Sequence, residues 1–191
     1  MTNVVLVYHS GSGHTKAIAQ SVARGAAVVD GVAVDVVCVD DLPKLEGDGA
    51  GQPEWETLHR ADAIVFGSPT YMGTVSAAFK GFMDATGALW FVRKWMDKLA
   101  AGFTVGGGLS GDKQGTLIAM NTFASQHGMV WVSMGIGVGD AKIDRLSSSI
   151  GMMAQADEGP VAETPPKEDH ETAERFGERV ANAAVRWNAG Q

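Results

Sequence analysis

Short apolar runs rich in β-branched residues alternate with segments of helical periodicity along most of this chain, and few folds accommodate that alternation. Val4-Val5-Leu6-Val7-Tyr8 is a continuous apolar run of the kind found in strands covered on both faces. Apolar positions then recur at helical spacing at Ile18, Val22, Ala26 and Val29. Further strands are expected at 32–39, 63–66, 101–105 and 129–134, with helices near 55–60, 75–82 and 116–125. A last helix opens after Thr164-Pro165-Pro166 and places Ala173, Phe176, Val180, Ala183 and Trp187 on one stripe. Five buried strands separated by helices predict an α/β fold, a doubly wound five-stranded parallel sheet with helices on both faces and right-handed crossovers. Two stretches fit neither pattern: 87–98, which looks like an insertion, and the irregular, glycine-bearing 135–163. The 191 residues suit a single domain spanning 1–191.

Composition narrows the function classes. A chain that is 45% hydrophobic and 19% charged reads as soluble and globular. Its single cysteine, Cys38, rules out an internal disulfide framework and a cysteine-based zinc site, so no metal site is expected. No apolar run approaches the roughly 18 residues of a membrane span, and no basic segment precedes an apolar stretch near Met1. A net charge of −7 argues against a nucleic-acid footprint. The expectation is a cytoplasmic protein without membrane insertion. Glycine stands out at 25 of 191 residues, gathered in loops where bare backbone can approach a ligand.

In sheets of this kind ligands sit beyond the carboxyl ends of the strands. Three loops leave those ends, at 9–15, 67–73 and 104–111. Ser10, Gly11, Ser12, Gly13, His14 and Thr15 combine glycines, hydroxyls and backbone amides at a helix N-terminus, the chemistry of a phosphate cradle. The loop lacks the Gly-Lys-Ser/Thr ending of a P-loop, and Lys16 occupies the place of the third small residue of a dinucleotide fingerprint. The plainer reading is a glycine turn with a serine cap.

Residues 10–15 meet the pattern Ser/Thr-x-Ser/Thr-Gly-x-Thr, and so resemble the FMN phosphate loop of the flavodoxin-like superfamily. Gly67-Ser68-Pro69-Thr70-Tyr71-Met72-Gly73, then Phe82-Met83-Asp84-Ala85-Thr86-Gly87-Ala88-Leu89-Trp90, and finally His127-Gly128-Met129 are similar to successive blocks of the WrbA-type NAD(P)H:quinone oxidoreductases. The likeness covers about residues 3–139 and is specific through the order and spacing of its motifs.

The resemblance implies a flavodoxin-like domain that binds FMN. Its second loop, Pro69, Thr70, Tyr71, Met72 and Gly73, would face the isoalloxazine ring, against the alternative of a plain turn into a helix. Its third, Thr104, Val105, Gly106, Gly107 and Gly108, would lie along the pyrimidine side, with assignments there open by one position. Trp90 and His127 would meet the quinone; a subunit contact for Trp90 and a helix-end charge for His127 are the competing readings. Ser12 departs from the aromatic residue that the family commonly carries there. Tyr8 and His9 read as structural, Asp40 and Asp41 as turn residues, Cys38 as core, and Met152-Met153 as packing.

The implied activity is transfer of two electrons from NAD(P)H to a quinone-like small molecule. The flavin carries the chemistry, and no protein acid or base is needed. The resemblance also implies a homo-oligomer, a tetramer or a dimer, and Leu89, Trp90, Phe91, Trp95 and Met96 supply an apolar cluster suited to an interface. A single-electron carrier of the flavodoxin type and a non-catalytic binding protein are the rival functions.

Overall fold

The protein is described by a computed structural model covering residues 1–136 and 143–190. The elements run β1 (Thr2–Tyr8), α1 (His14–Ala27), β2 (Val32–Cys38), a 3₁₀ turn (Val39–Asp41), α2 (Pro53–Arg60), β3 (Ala63–Tyr71), β4 (Thr74–Val75), α3 (Ala77–Ala85), α4 (Gly87–Phe91), β5 (Leu99–Gly106), α5 (Lys113–Gln126), β6 (Val130–Trp131), β7 (Met152–Gln155) and α6 (Lys167–Ala189). Strands β2, β1, β3 and β5 lie side by side in that order and in parallel register. This is the doubly wound arrangement expected from the alternation, with its switch point between β1 and β3.

The fifth strand differs from expectation. It is split: β6 pairs with Leu99 and Ala100 at the start of β5, and β7 pairs with residues 103–106 at its end. The chain leaves the sheet after Trp131, whose ring fills the space over Gly102; a Cβ on that glycine would lie 2.7 Å from it. Met152-Met153-Ala154 has no β-branched residue, so pairing with β5 rather than local preference makes it a strand. Part of the stretch expected to be irregular is therefore sheet; residues 137–142 within it lie outside the described residues.

Each sheet face has its own core. One joins Leu6, Val65 and Phe103 to α1 and α6; the other joins Val7, Ile64 and Phe66 to α2, α3, α4 and α5. Helices α1 and α6 touch backbone to backbone. A Cβ on Gly25 would lie 1.8 Å from the Glu174 carbonyl oxygen, and one on Gly177 would lie 1.9 Å from that of Val22. This approach turns the buried stripe of α6 to Ala173, Phe176, Gly177, Val180, Ala181 and Ala184, leaving the expected Trp187 37% exposed.

Residues 87–98 are a short helix and turns rather than a uniform surface excursion. Leu89 and Trp95 are fully buried, Trp95 within an aromatic cluster with Phe82, Phe123 and His127. Trp90, Phe91 and Met96 remain exposed.

Candidate functional site

Because β1, β3 and β5 are neighbours, the loops after them lie together at the carboxyl edge of the sheet. The first is a helix-capping turn with donors to spare. Gly13 holds a left-handed conformation at φ 96°, which closes the turn into α1 and disfavours any side chain. Ser10 Oγ accepts from the amides of Gly13 and Lys16, both at 3.1 Å. The amides of Gly11, Ser12, His14 and Thr15 donate to no group among the described residues. Thr15 is buried, and its hydroxyl meets no partner among the described residues. Free amides at a helix N-terminus beside free hydroxyls are the donor set for a dianionic phosphate. The N-cap position itself is Gly13, without a side-chain cap, and the expected serine acts from three residues earlier, where Ser10 accepts from two amides of the turn.

Ser12 and His14 bond to each other, and His14 bonds to the segment before α6. Ser12 Oγ lies 3.0 Å from His14 Nδ1, and His14 Nε2 lies 3.0 Å from the Gly159 carbonyl. A carbonyl only accepts, so Nε2 carries the hydrogen and Nδ1 accepts from Ser12. Together with Val161, which packs against Gly13, this latch holds the segment before α6 across the loop. Nothing in residues 157–163 marked them for that place.

The second loop is a hairpin. Strand β3 runs to Tyr71 and pairs back with β4 through Thr70–Val75 and Tyr71–Thr74. Met72 (φ 49°) and Gly73 (φ 80°) form the turn, both left-handed as the tightest hairpins require. Met72 is wholly exposed at the tip. Tyr71 is 47% exposed and rests its phenol on the first loop, where a Cβ on Gly11 would lie 2.4 Å from its hydroxyl oxygen. Pro69 lies in the parallel ladder opposite Val105. Thr70 Oγ1 meets Thr104 Oγ1 and Thr116 Oγ1, each at 2.8 Å, and Thr104 donates to the Ser68 carbonyl at 2.7 Å. These hydroxyls lock the second and third loops to α5 and are spent inside the protein.

In the third loop Thr104 and Val105 are buried strand residues, while Gly107, Gly108, Leu109 and Ser110 are exposed. It offers no aromatic side chain. Beneath it lie Lys113 and Gln155, which sequence reasoning did not single out.

Trp90 and His127 are brought together, but elsewhere. Both line a cleft with Phe91, Arg93 and Met96. The Asp97 amide bonds to the Gly128 carbonyl just before β5 begins, so this cleft lies at the edge of the sheet opposite the three loops. The motif order in the sequence carries no sign of which end of the sheet each block reaches. His127 is buried against the rings of Trp95 and Phe123, each 4.8 Å away. Thr86 Oγ1 donates to the Met83 carbonyl, so it accepts from His127 Nε2–H, and Nδ1 meets no partner among the described residues. Burial pushes the His127 pKa down from 6.5 to about 4.

The unfolded chain therefore binds a proton that the folded chain refuses between those values. Stability should be complete above pH 6.5 and fall as the pH drops towards 4, by an amount of order 3 kcal/mol. Burial depresses His59 and His170 in the same direction. Urea melts at pH 7 and pH 5 check this; the slope should become shallower in His127→Asn, and an unchanged slope would contradict it.

A sequence profile of the NADPH-dependent FMN reductase family matches residues 2–142. The chain belongs to that family. It is 40% identical to Flavodoxin FldP of Pseudomonas aeruginosa over 99% of this chain and all of that one. It is 31% identical to an NAD(P)H dehydrogenase (quinone) of Geobacter sulfurreducens, covering 97% of this chain and 99% of the relative. A flavodoxin, WrbA-like protein from Agrobacterium tumefaciens superposes with a TM-score of 0.73 at 40% identity, covering 97% of this chain and 99% of that one. FMN is the family's ligand, and the donor set of residues 10–15 fits its single terminal phosphate. This FMN reductase family member is an FMN-dependent oxidoreductase of flavodoxin-like fold.

Proposed function

We propose that the chain passes two electrons from NAD(P)H to a quinone-type acceptor. FMN, when bound, supplies the redox chemistry. The amides of Gly11, Ser12, His14 and Thr15 and the hydroxyls of Ser10 and Thr15 hold its phosphate. Tyr71 offers the one aromatic plane, from the hairpin 69–73. Thr104 and Val105 support the glycines 106–108 that border the ring from the other side.

The observation that carries the reading is the lopsided cover of the site. Among the three loops only Tyr71 brings a phenyl or indole ring, and the exposed third loop is glycine, leucine and serine. One ring face is therefore left for a nicotinamide, which must approach to about 3–3.5 Å to react. A single-electron carrier remains the second reading, favoured by the full-length likeness to a protein named flavodoxin. Ser110→Trp separates the two: it should slow reduction by NAD(P)H at least tenfold while FMN stays bound. Unchanged reduction would count against the open face.

Trp90 and His127 serve the acceptor across a subunit boundary in a homo-oligomer, a dimer or tetramer. Supporting this is the exposed edge of Trp90 (49%), Phe91 (81%), Val92 (54%) and Met96 (46%), more apolar surface than one short segment commonly leaves bare. Light scattering at micromolar concentration should give at least twice the mass of one chain, and Phe91→Asp should reduce it. A fully active monomer would overturn this assignment. The cytoplasm is the expected setting, since reduced nicotinamide is supplied there, and no helix among the described residues is long and apolar enough to cross a membrane.

A further inference from the structure

Lys113, the first residue of α5, is completely buried. Its stem passes under Gly106, whose Cβ, if it had one, would touch Lys113 Cγ at 3.4 Å. Nζ donates to the Gly106 carbonyl at 3.4 Å and to the Gly108 carbonyl. The Gly107 carbonyl between them accepts from Gln155 Nε2 at 3.0 Å. All three glycine carbonyls are thus tied inward. In a trans peptide the N–H points opposite to the C=O. The amides of Gly107, Gly108 and Leu109 must then face outward, and none of them donates to a group among the described residues.

The ammonium pairs with no carboxylate among the described residues. The charge of Asp169 reaches it, but Arg145 holds that carboxylate at both oxygens, at 2.7 and 2.9 Å, and the Gln155 amide donates to it at 2.7 Å. Burial pushes the Lys113 pKa down; Asp169 opposes that shift and Arg145 adds to it. A buried cation satisfied only by carbonyls stabilises any negative charge placed on the far side of those peptides.

We propose that Lys113 is the counter-charge of the reduced flavin: it turns the amides of residues 107–109 towards the pyrimidine edge of FMN and backs them with a positive charge, so that reduced FMN is held more tightly than the oxidised form. This rests on the FMN reading of the third loop. It makes two-electron reduction easier and sets the chain apart from a low-potential carrier. Lys113 acts through the loop, as a positioning and electrostatic residue.

The test is the two-electron midpoint potential of bound FMN, measured by equilibration with redox dyes in wild type, Lys113→Gln and Lys113→Arg. The glutamine variant keeps a donor for the carbonyls and loses the charge; the arginine variant keeps both. In Lys113→Gln the ratio of reduced to oxidised FMN affinity should fall at least tenfold, a drop of about 30 mV for a two-electron couple. Lys113→Arg should stay within threefold of wild type. An unchanged potential in the glutamine variant, or equal drops in both, overturns the proposal. Should neither variant fold, wild type decides: its midpoint must lie above that of free FMN in the same buffer, and a value below overturns the proposal. A wild-type protein that takes up no FMN instead defeats the reading on which it rests.

Discussion

Replacing Gly13 with valine is expected to give a folded protein that purifies colourless and binds added FMN at least a hundredfold more weakly. Gly13 is the N-cap of α1 and sits at φ 96°, a conformation that a β-branched residue adopts only at a cost of about 1–3 kcal/mol. Its Cβ would also come to 3.0 Å from Val161 Cγ2, displacing the segment latched by His14 and Gly159. The backbone at 13 must then turn, and with it the free amides of His14 and Thr15, whose direction makes the cradle. Thermal melts separate the two effects: Tm should fall by several degrees, since 1 kcal/mol is worth about 2–4 °C in a chain of this size. Stoichiometric FMN in the variant would place the phosphate elsewhere.

Replacing Gly177 with alanine should be among the most damaging single methyls in the molecule, alongside Gly25 on the other side of the same helix crossing. The added carbon would lie 1.9 Å from the Val22 carbonyl oxygen and 2.9 Å from the Ala26 nitrogen, both backbone atoms of α1 that cannot rotate aside. The helices must part, opening the core formed by Ile18, Val22, Phe176 and Val180. Overpacking of this kind costs 1–3 kcal/mol when side chains give way, and more when backbone must move. A loss of about 4 kcal/mol in urea unfolding is expected, with Tm lower by about 10 °C. Gly31→Ala, where a Cβ meets nothing within 4 Å but φ is 76°, should cost only about 1 kcal/mol. A Gly177→Ala protein as stable as wild type would refute the close crossing of α1 and α6.

Legibility in the sequence followed the physics of each part. The three central strands were readable because both faces are buried and their inner stretches, Val4–Tyr8, Ala63–Phe66 and Ala101–Phe103, are free of charged side chains and almost wholly apolar. The turn into α1 was readable because its left-handed cap at φ 96° favours glycine and a serine accepts from two amides of the turn. The split fifth strand was hidden, since Met152–Gln155 becomes a strand through pairing alone. Trp90 and His127, both expected to meet the quinone, line one cleft away from the three loops, and that placement was hidden because motif spacing records order along the chain and not the direction of α3 and α5 across the sheet. Lys113 was invisible for another reason: a lysine on a helix is ordinarily a solvated charge, and only the fold shows it sealed beneath three glycines.

The central claim, two-electron transfer at an FMN with one open face, is tested most directly by anaerobic titration of the FMN-loaded protein with NADPH and NADH, followed by benzoquinone. The flavin absorbance should bleach with one equivalent of at least one nicotinamide, without a stable half-reduced form, and return on adding one equivalent of quinone. A flavin that neither nicotinamide reduces, together with an abundant and stable half-reduced form on chemical reduction, would contradict the account and identify an electron carrier.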